Sequence, residues 1–283
     1  MTVSVAALLT CFNRREKTMA CLRSLLGRTQ LASIELTVYL LDDGSSDGTA
    51  ASVRKEFPQV RLLDGDGSLY WNGGMRAAFG AAIEDGYDFY LWLNDDVRLF
   101  DGFLVNLFTT YDAVAAQESA ANIIVGATRD PVSGAMTYSG FVHASRWKPL
   151  WFFKLQPDEK QPLECDTMNG NCVLIPHAVV ELIGNLDPVY IQTAGDMDYG
   201  FRARKAGAKI WVAPGYVGDC APNNKHLLWR NPELTLRDRI KLVNTPHGLP
   251  FKPTFHYARR YGGWAWPVFF IWQYVRGFLR SIF

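Results

Sequence analysis

Strand-like and helix-like segments alternate without interruption from residue 3 to residue 93. Val3 to Leu9 is an unbroken apolar run, the pattern of a strand covered on both faces. Lys17 to Leu26 places Met19, Leu22, Leu25 and Leu26 at helical spacing, and Gly27 predicts its stop. Leu36 to Leu41, Val60 to Leu63 and Tyr87 to Leu93 read as further strands. Thr49 to Phe57 and the Ala-rich Met75 to Ile83, closed by Gly86, read as further helices. Such an order predicts an α/β fold, a mostly parallel Rossmann-like sheet with helices on both faces. Ligands of these sheets bind beyond the carboxyl ends of the strands. The polar clusters Thr10 to Arg14, Asp42 to Asp47 and Asn94 to Asp96 stand at those ends.

Composition excludes several classes. A net charge of +1 gives no basic field for nucleic acid. The cysteines Cys11, Cys21, Cys165, Cys172 and Cys220 are odd in number and form no CxxC. That argues against a disulfide framework or zinc knuckle and for a reducing, cytoplasmic setting. No basic residues precede the Val3 to Cys11 run, which is too short for a signal segment. The nearest candidate for a membrane span, Trp264 to Phe283, is interrupted by Pro267, Gln273, Arg276 and Arg280.

Farther along, Ile123 to Ala127, Cys172 to Pro176 and Lys209 to Val212 read as strands. Asp198 to Ala206 reads as a helix ended by Gly207, and the aromatic Tyr138 to Pro162 stretch as an excursion from the core. After Pro222 the character changes. Arg230, Arg237, Arg239, Lys241, Lys252, Arg259 and Arg260 face only Glu233 and Asp238. We therefore expect one domain over residues 1–221 and a basic, aromatic helical extension over 222–283.

Four segments carry chemistry. Asp42-Asp43-Gly44-Ser45-Ser46-Asp47-Gly48-Thr49 follows a strand and precedes a helix. Its acids can accept hydrogen bonds from a base and ribose, and its later residues can cap the helix, which is also what an ordinary polar turn does. Asn94-Asp95-Asp96 ends an apolar strand in adjacent acids suited to a hard divalent cation. Gly195-Asp196-Met197-Asp198 sets two acids at a helix start, where they also complement the dipole. Asp64 to Arg76 is rich in glycine and holds Tyr70, Trp71, Asn72 and Gly74. A helix opening after Gly74, with Arg76 in its first turn, would favour a diphosphate.

Together and in this order, these runs resemble the family-2 glycosyltransferases with a GT-A fold, over roughly residues 3 to 215. The resemblance implies an inverting hexosyl- or deoxyhexosyltransferase of the bacterial cell-surface polysaccharide or lipopolysaccharide type. It implies a nucleotide site at Thr10, Phe12, Asn13, Arg14, Asp42, Asp43, Gly44, Trp71, Asn72, Gly74, Arg76, Asn94 and Asp95. Donor sugar or acceptor would meet Asn169, Gly170, Asn171 and Asp198. Asp96 takes the position of the ligand for manganese or magnesium. The chain departs from the pattern in three places. Asn94 replaces the first acid of the DxD motif, Gly195 replaces the Glu of a Glu-Asp pair, and no His follows the base helix. Asp219 is then the substitute metal ligand and Asp196 the sole base in that position, expected to be kept ionised by the helix N-terminus.

The predicted reaction is a single displacement. Asp196 deprotonates an acceptor hydroxyl and a cation at Asp96 stabilises the departing nucleoside diphosphate. A nucleotidyltransferase would need glycines directly after the first strand, where Thr10-Cys11-Phe12-Asn13-Arg14 stands. A glycan-binding module without catalysis is the non-enzymatic alternative, prompted by Asn94 and Gly195. In the tail, Pro267 can open a helix that is apolar almost all round, from Val268 to Ile282. Its partner is core, a second subunit or an anionic membrane surface. The basic excess favours the membrane, so we expect a peripheral protein on its inner face with a glycan or lipid-linked glycan acceptor.

Overall fold

A computed structural model describes residues 2–28, 33–117, 119–145, 149–223, 229, 231 and 233–279. In chain order the first elements are β1 (Val3–Cys11), α1 (Arg15–Arg28), β2 (Ile34–Asp42), α2 (Thr49–Glu56), β3 (Arg61–Asp64), α3 (Tyr70–Asp85) and β4 (Phe89–Leu93). β5 (Arg98–Leu99), α4 (Phe103–Ala115), β6 (Asn122–Arg129), β7 (Met136–Tyr138), β8 (Gly140–His143) and β9 (Phe152–Lys154) follow. Next come β10 (Leu163–Cys165), β11 (Thr167–Met168), β12 (Cys172–Pro176), α5 (His177–Ile183), α6 (Gly195–Lys205) and β13 (Lys209–Asp219). The chain closes with α7 (Leu236–Val243), α8 (Phe251–Tyr261) and α9 (Trp266–Leu279).

The main sheet runs β10-β13-β6-β12-β4-β1-β2-β3, with β5 on β13 and β7 on β6. β4, β1, β2 and β3 are mutually parallel, as are β6 and β13. β12 lies antiparallel between β4 and β6. Alternate residues of β1 feed two cores. Val5, Ala7 and Leu9 pack with α1, α2 and α4, while Ala6 and Leu8 pack with α3, α5 and α6. The expected α/β sheet with helices on both faces is therefore present. The Tyr138–Pro162 excursion supplies β8 and β9 of a small second sheet, ordered β11-β8-β9.

Three boundaries differ from expectation. α1 continues through Gly27, because its buried Leu22 and Leu25 anchor the last turn. α3 begins at Tyr70 rather than after Gly74, so Gly73 and Gly74 are helical. α4 was not expected; it starts after the Asp101-Gly102 turn, and its Leu104, Leu107 and Val114 are core.

The extension is helical. Between α8 and α9, Phe251, Phe255, Trp266 and Phe270 interleave edge to face. Tyr261 of α8 donates to Asp198 of α6 at 2.6 Å, tying the extension to the sheet domain. Among the described residues no helix is long and apolar enough to cross a membrane. Arg230, Arg280, Ile282 and Phe283 lie outside the described residues.

Candidate active site

β1, β2 and β4 deliver their carboxyl ends to one edge of the sheet. Because β12 runs the other way, the residues preceding it arrive at that same edge. There the Asn94 amide donates to the Asn171 carbonyl at 2.9 Å. The result is a cleft of about 680 Å³ that brings together Thr10, Phe12, Arg14, Asp43, Trp71, Asn94, Asp95, Asp96, Asn169, Gly170, Asn171 and Asp196.

One end is shaped by Asp43. Its carboxylate accepts from the amides of Gly67, Leu69 and Tyr70 at 2.9, 3.0 and 2.9 Å, folding the glycine loop beside the cleft. Asp42 is buried below, accepting from the Ser45 amide at 2.9 Å. Asn13 ties the two strand exits together. Its amide donates to Ser45 Oγ, and its side-chain oxygen accepts from the Ser46 amide, both at 2.8 Å. Gly44 takes a left-handed φ of 73° in that turn, against the Gly67 backbone. Asp42, Asn13 and Gly44 thus build the wall and do not line it.

The Asn94-Asp95-Asp96 corner is charge-compensated. Arg14 spans both acids, contacting Asp95 at 2.9 Å and also Asp96. Lys17 lies 3.7 Å from Asp96. Burial raises the Asp95 carboxyl to about 6, against the opposing pull of Arg14. Asn94 uses its side-chain oxygen to accept from Trp71 Nε1 at 2.7 Å, which fixes the indole across the cleft.

At the other end stands Asp196. Its carboxylate oxygens accept from the Gly170 amide at 3.0 Å and its neighbour Met197's amide at 2.8 Å. Burial pushes its carboxyl up, so the helix N-terminus does not dominate as expected. Gly170 is required here, because a Cβ would stand 2.7 Å from the Trp71 ring. The backbone is forced at the cleft as well. Among the described residues, Asn13, Tyr70 and Ala194 are the non-glycine positions with positive φ; Tyr70 and Ala194 line the cleft and Asn13 sits between two residues that do.

Five expected positions serve other ends. Asp198 is fully buried and accepts from Arg202 at 2.8 Å, Arg260 at 2.9 Å, Tyr261 at 2.6 Å and Tyr190 at 3.2 Å, away from the cleft. Asn72 is buried and donates to the carbonyls of Asp187 and Tyr190 at 3.2 and 2.9 Å. Gly74 lets α3 press on β1, where a Cβ would fall 2.1 Å from Thr10 Oγ1. Arg76 is exposed and outside the cleft lining, because the earlier helix start rotates it away. Asp219 pairs with Arg129 at 3.2 Å, while the next residue, Cys220, turns inward to within 3.5 Å of Asp96.

The sequence reading missed Tyr138, Gln192, Ala194 and His247 as cleft residues. Gln192 accepts from the Trp71 amide at 3.0 Å, and His247 meets the Tyr70 ring edge-on. Both come from loops without sequence motifs. Asp187, Asp198 and His256 form a group with ligand atoms within 4.8 Å of one another. Arg260 already bridges its two carboxylates, at 3.1 and 2.9 Å.

The sequence profile of the family described as Glycosyl transferase family 2 matches residues 7–179. The chain belongs to the family 2 glycosyltransferases. It is 26% identical over 265 residues to an N-acetylglucosaminyl-diphospho-decaprenol L-rhamnosyltransferase of Mycobacterium tuberculosis, covering 83% of this chain and 80% of that protein. Its fold matches S. aureus TarS 1-349 with a TM-score of 0.54 at 15% identity, covering 86% of this chain and 69% of that one. GalNAc-T7, solved with UDP, GalNAc and Mn2+, matches with a TM-score of 0.55 at 15% identity over 75% of this chain. The chain spans 43% of the GalNAc-T7 chain. The glycosyltransferase thus has the GT-A fold and is an enzyme, and the nucleotidyltransferase and catalysis-free alternatives fall away.

Proposed function

We propose that this glycosyltransferase moves a sugar from a nucleotide-diphosphate sugar to a hydroxyl of a lipid-linked glycan, with inversion and with Asp196 as general base. The observation that carries this is the setting of Asp196. It lines the cleft shared with Asp43 and Asp96, its carboxylate is held by two backbone amides, and burial makes it more basic. A positioned base of raised pKa is what hydroxyl deprotonation near neutral pH requires. The other cleft acids are already engaged, Asp43 by the glycine-loop amides and Asp95 and Asp96 by Arg14, which supports a single displacement with Asp196 as base.

The nucleoside would lie over Asp43 and Trp71, with the diphosphate toward Arg14. A guanidinium that spans two acids can turn to an incoming diphosphate oxygen. Asp96 is the cleft carboxylate that would offer its oxygens to a divalent cation. One carboxylate oxygen faces the Cys220 thiol and the other is held by Arg14, which can retain Asp95 alone. Such a cation, manganese or magnesium, would offset charge on the leaving diphosphate.

The lipid-linked acceptor is supported by the mycobacterial relative, whose name specifies a diphospho-decaprenol substrate. A place on the inner face of the cell membrane follows from such an acceptor. It is also supported by α9, whose Trp264, Val268, Ile271, Trp272 and Val275 side are exposed just before and along the helix. The test is a panel of nucleotide sugars with a diphosphopolyprenol-linked sugar, with and without manganese, following nucleotide release. Transfer that proceeds with one donor and is lost in Asp196→Asn supports the assignment. Equal transfer by Asp196→Asn removes it.

A further inference from the structure

A second cavity, also of about 680 Å³, lies on the far side of α6 from the cleft. It is lined by Phe201, Arg202 and Lys205 of α6, Arg260 and Tyr261 of α8, and His143 of β8. Aromatic and aliphatic side chains make the walls. Three cations stand around them, and no acid lines the cavity among the described residues. Arg202 is spent on Asp198 and on the carbonyls of Ile183 and Asn185, at 2.8, 2.8 and 2.9 Å. Arg260 points one nitrogen at Asp187 and Asp198. Lys205 is exposed and has no ion pair among the described residues. It is the cation left to meet a ligand.

The surroundings say what kind of ligand. Gly263 also lines the cavity, and the next residue, Trp264, is 95% exposed. From Trp264 the exposed apolar residues recur at Val268, Ile271, Trp272 and Val275, one stripe of a helix. Leu236 and Ile240 on α7 and Phe251 on α8 are exposed as well, as are Arg237, Lys241, Lys252 and Arg259 of the same helices. After Asp238 the sequence contains no acid to its last residue. An apolar stripe with a cationic fringe and no acid complements an anionic bilayer surface.

We propose that the cavity between α6 and α8 binds the phosphate headgroup of an anionic membrane phospholipid, with Lys205 on the phosphate and the α9 stripe inserted beside it. This rests on the membrane placement above and adds a stoichiometric lipid site to it. Lys205 follows Asp196 by nine residues along α6, which is about 14 Å at 1.5 Å per residue. The headgroup would then sit about one helix length from the base.

The experiment uses the full chain and two lipid probes. One is dihexanoyl-phosphatidylglycerol below its micelle concentration, followed by calorimetry. The other is cosedimentation with phosphatidylglycerol and phosphatidylcholine vesicles. Saturable one-to-one binding of the monomeric lipid, weakened roughly fivefold or more in Lys205→Gln and unchanged in Lys252→Gln, is expected. Vesicle binding that falls equally in both variants, with no binding of the monomeric lipid, leaves the membrane placement standing and overturns the headgroup site. Inorganic phosphate binding as tightly as the lipid overturns the lipid assignment. Absence of binding to either vesicle overturns both.

Discussion

No side chain fits at Gly195, because a Cβ there would stand 1.7 Å from the side-chain oxygen of Asn72. Asn72 in turn clamps the loop that leads into α6, through the carbonyls of Asp187 and Tyr190. The Glu of the family's Glu-Asp pair is gone, and a carboxamide from α3 occupies its room. That oxygen is buried without a hydrogen-bond partner among the described residues.

Gly195→Ala should therefore destabilise the glycosyltransferase by roughly 1–3 kcal/mol, the usual cost of overpacking. Adding Asn72→Ala should return part of that loss. Thermal unfolding of the two single variants and the double variant checks the coupling. Strictly additive losses would show that the two positions do not compete for space.

Asp196→Asn should lower turnover by roughly a hundred- to ten-thousand-fold while leaving nucleotide binding near wild type. Asp198→Asn should behave differently. It leaves Arg202 and Arg260 facing a neutral group in the interior, and the expected loss is stability, roughly 3–5 kcal/mol. Turnover, calorimetry with the nucleoside diphosphate, and unfolding midpoints separate the two. A dead but fully stable Asp198→Asn enzyme would move the base to Asp198.

Burial holds the Asp95 carboxyl at about 6, above its unfolded value. A raised carboxylate means that the fold favours the protonated form. Its contribution to stability is present below about pH 4 and is lost as pH rises through about 6. Asp95→Asn should flatten that decline, and at pH 7 should be the more stable protein by roughly 1–3 kcal/mol. Unfolding midpoints from pH 4 to 7 decide it. A wild-type midpoint that climbs relative to Asp95→Asn across that window would show that Arg14 outweighs burial.

Asp96→Ala should remove any manganese requirement together with transfer, while Arg14 keeps its contact with Asp95 and the fold is retained. Titration of manganese into each protein in the presence of nucleoside diphosphate reads the site directly. Wild-type transfer that survives exhaustive chelation would take the cation out of the reaction.

The parallel half of the fold was readable because its strands are unbroken apolar runs and its motifs sit at their ends. Asp43 and Asp96 could be placed at one sheet edge on that ground, whereas Asp196 was reached only through the resemblance to the family. Helix register was harder. A helix start at Tyr70, with no side-chain cap to mark it, turned Asn72, Gly74 and Arg76 away from the positions their spacing suggested. Asp198 read as a helix-start acid that would meet donor sugar or acceptor, and only the return of α8, with Arg260 and Tyr261 on its carboxylate, shows that it is a buried anchor. Asp219 turns to Arg129 and Cys220 to Asp96 where β13 ends, a facing that no sequence motif marks. His247 and Gln192 reach the cleft from loops, whose course composition does not fix.

The antiparallel insertion of β12 divides responsibility within the cleft. The residues expected to grip the donor nucleotide hang from β1, β2, β4 and the start of α3, all within the first hundred residues. The Asn169–Asn171 turn, the proposed base Asp196 and the helical extension all belong to the later half, joined to the first through the β4–β12 seam. The two halves can therefore diverge at different rates. A lineage that edits residues after 165 would leave the nucleotide grip untouched, and chimeras cut at that seam should inherit nucleotide choice from the parent of the first half.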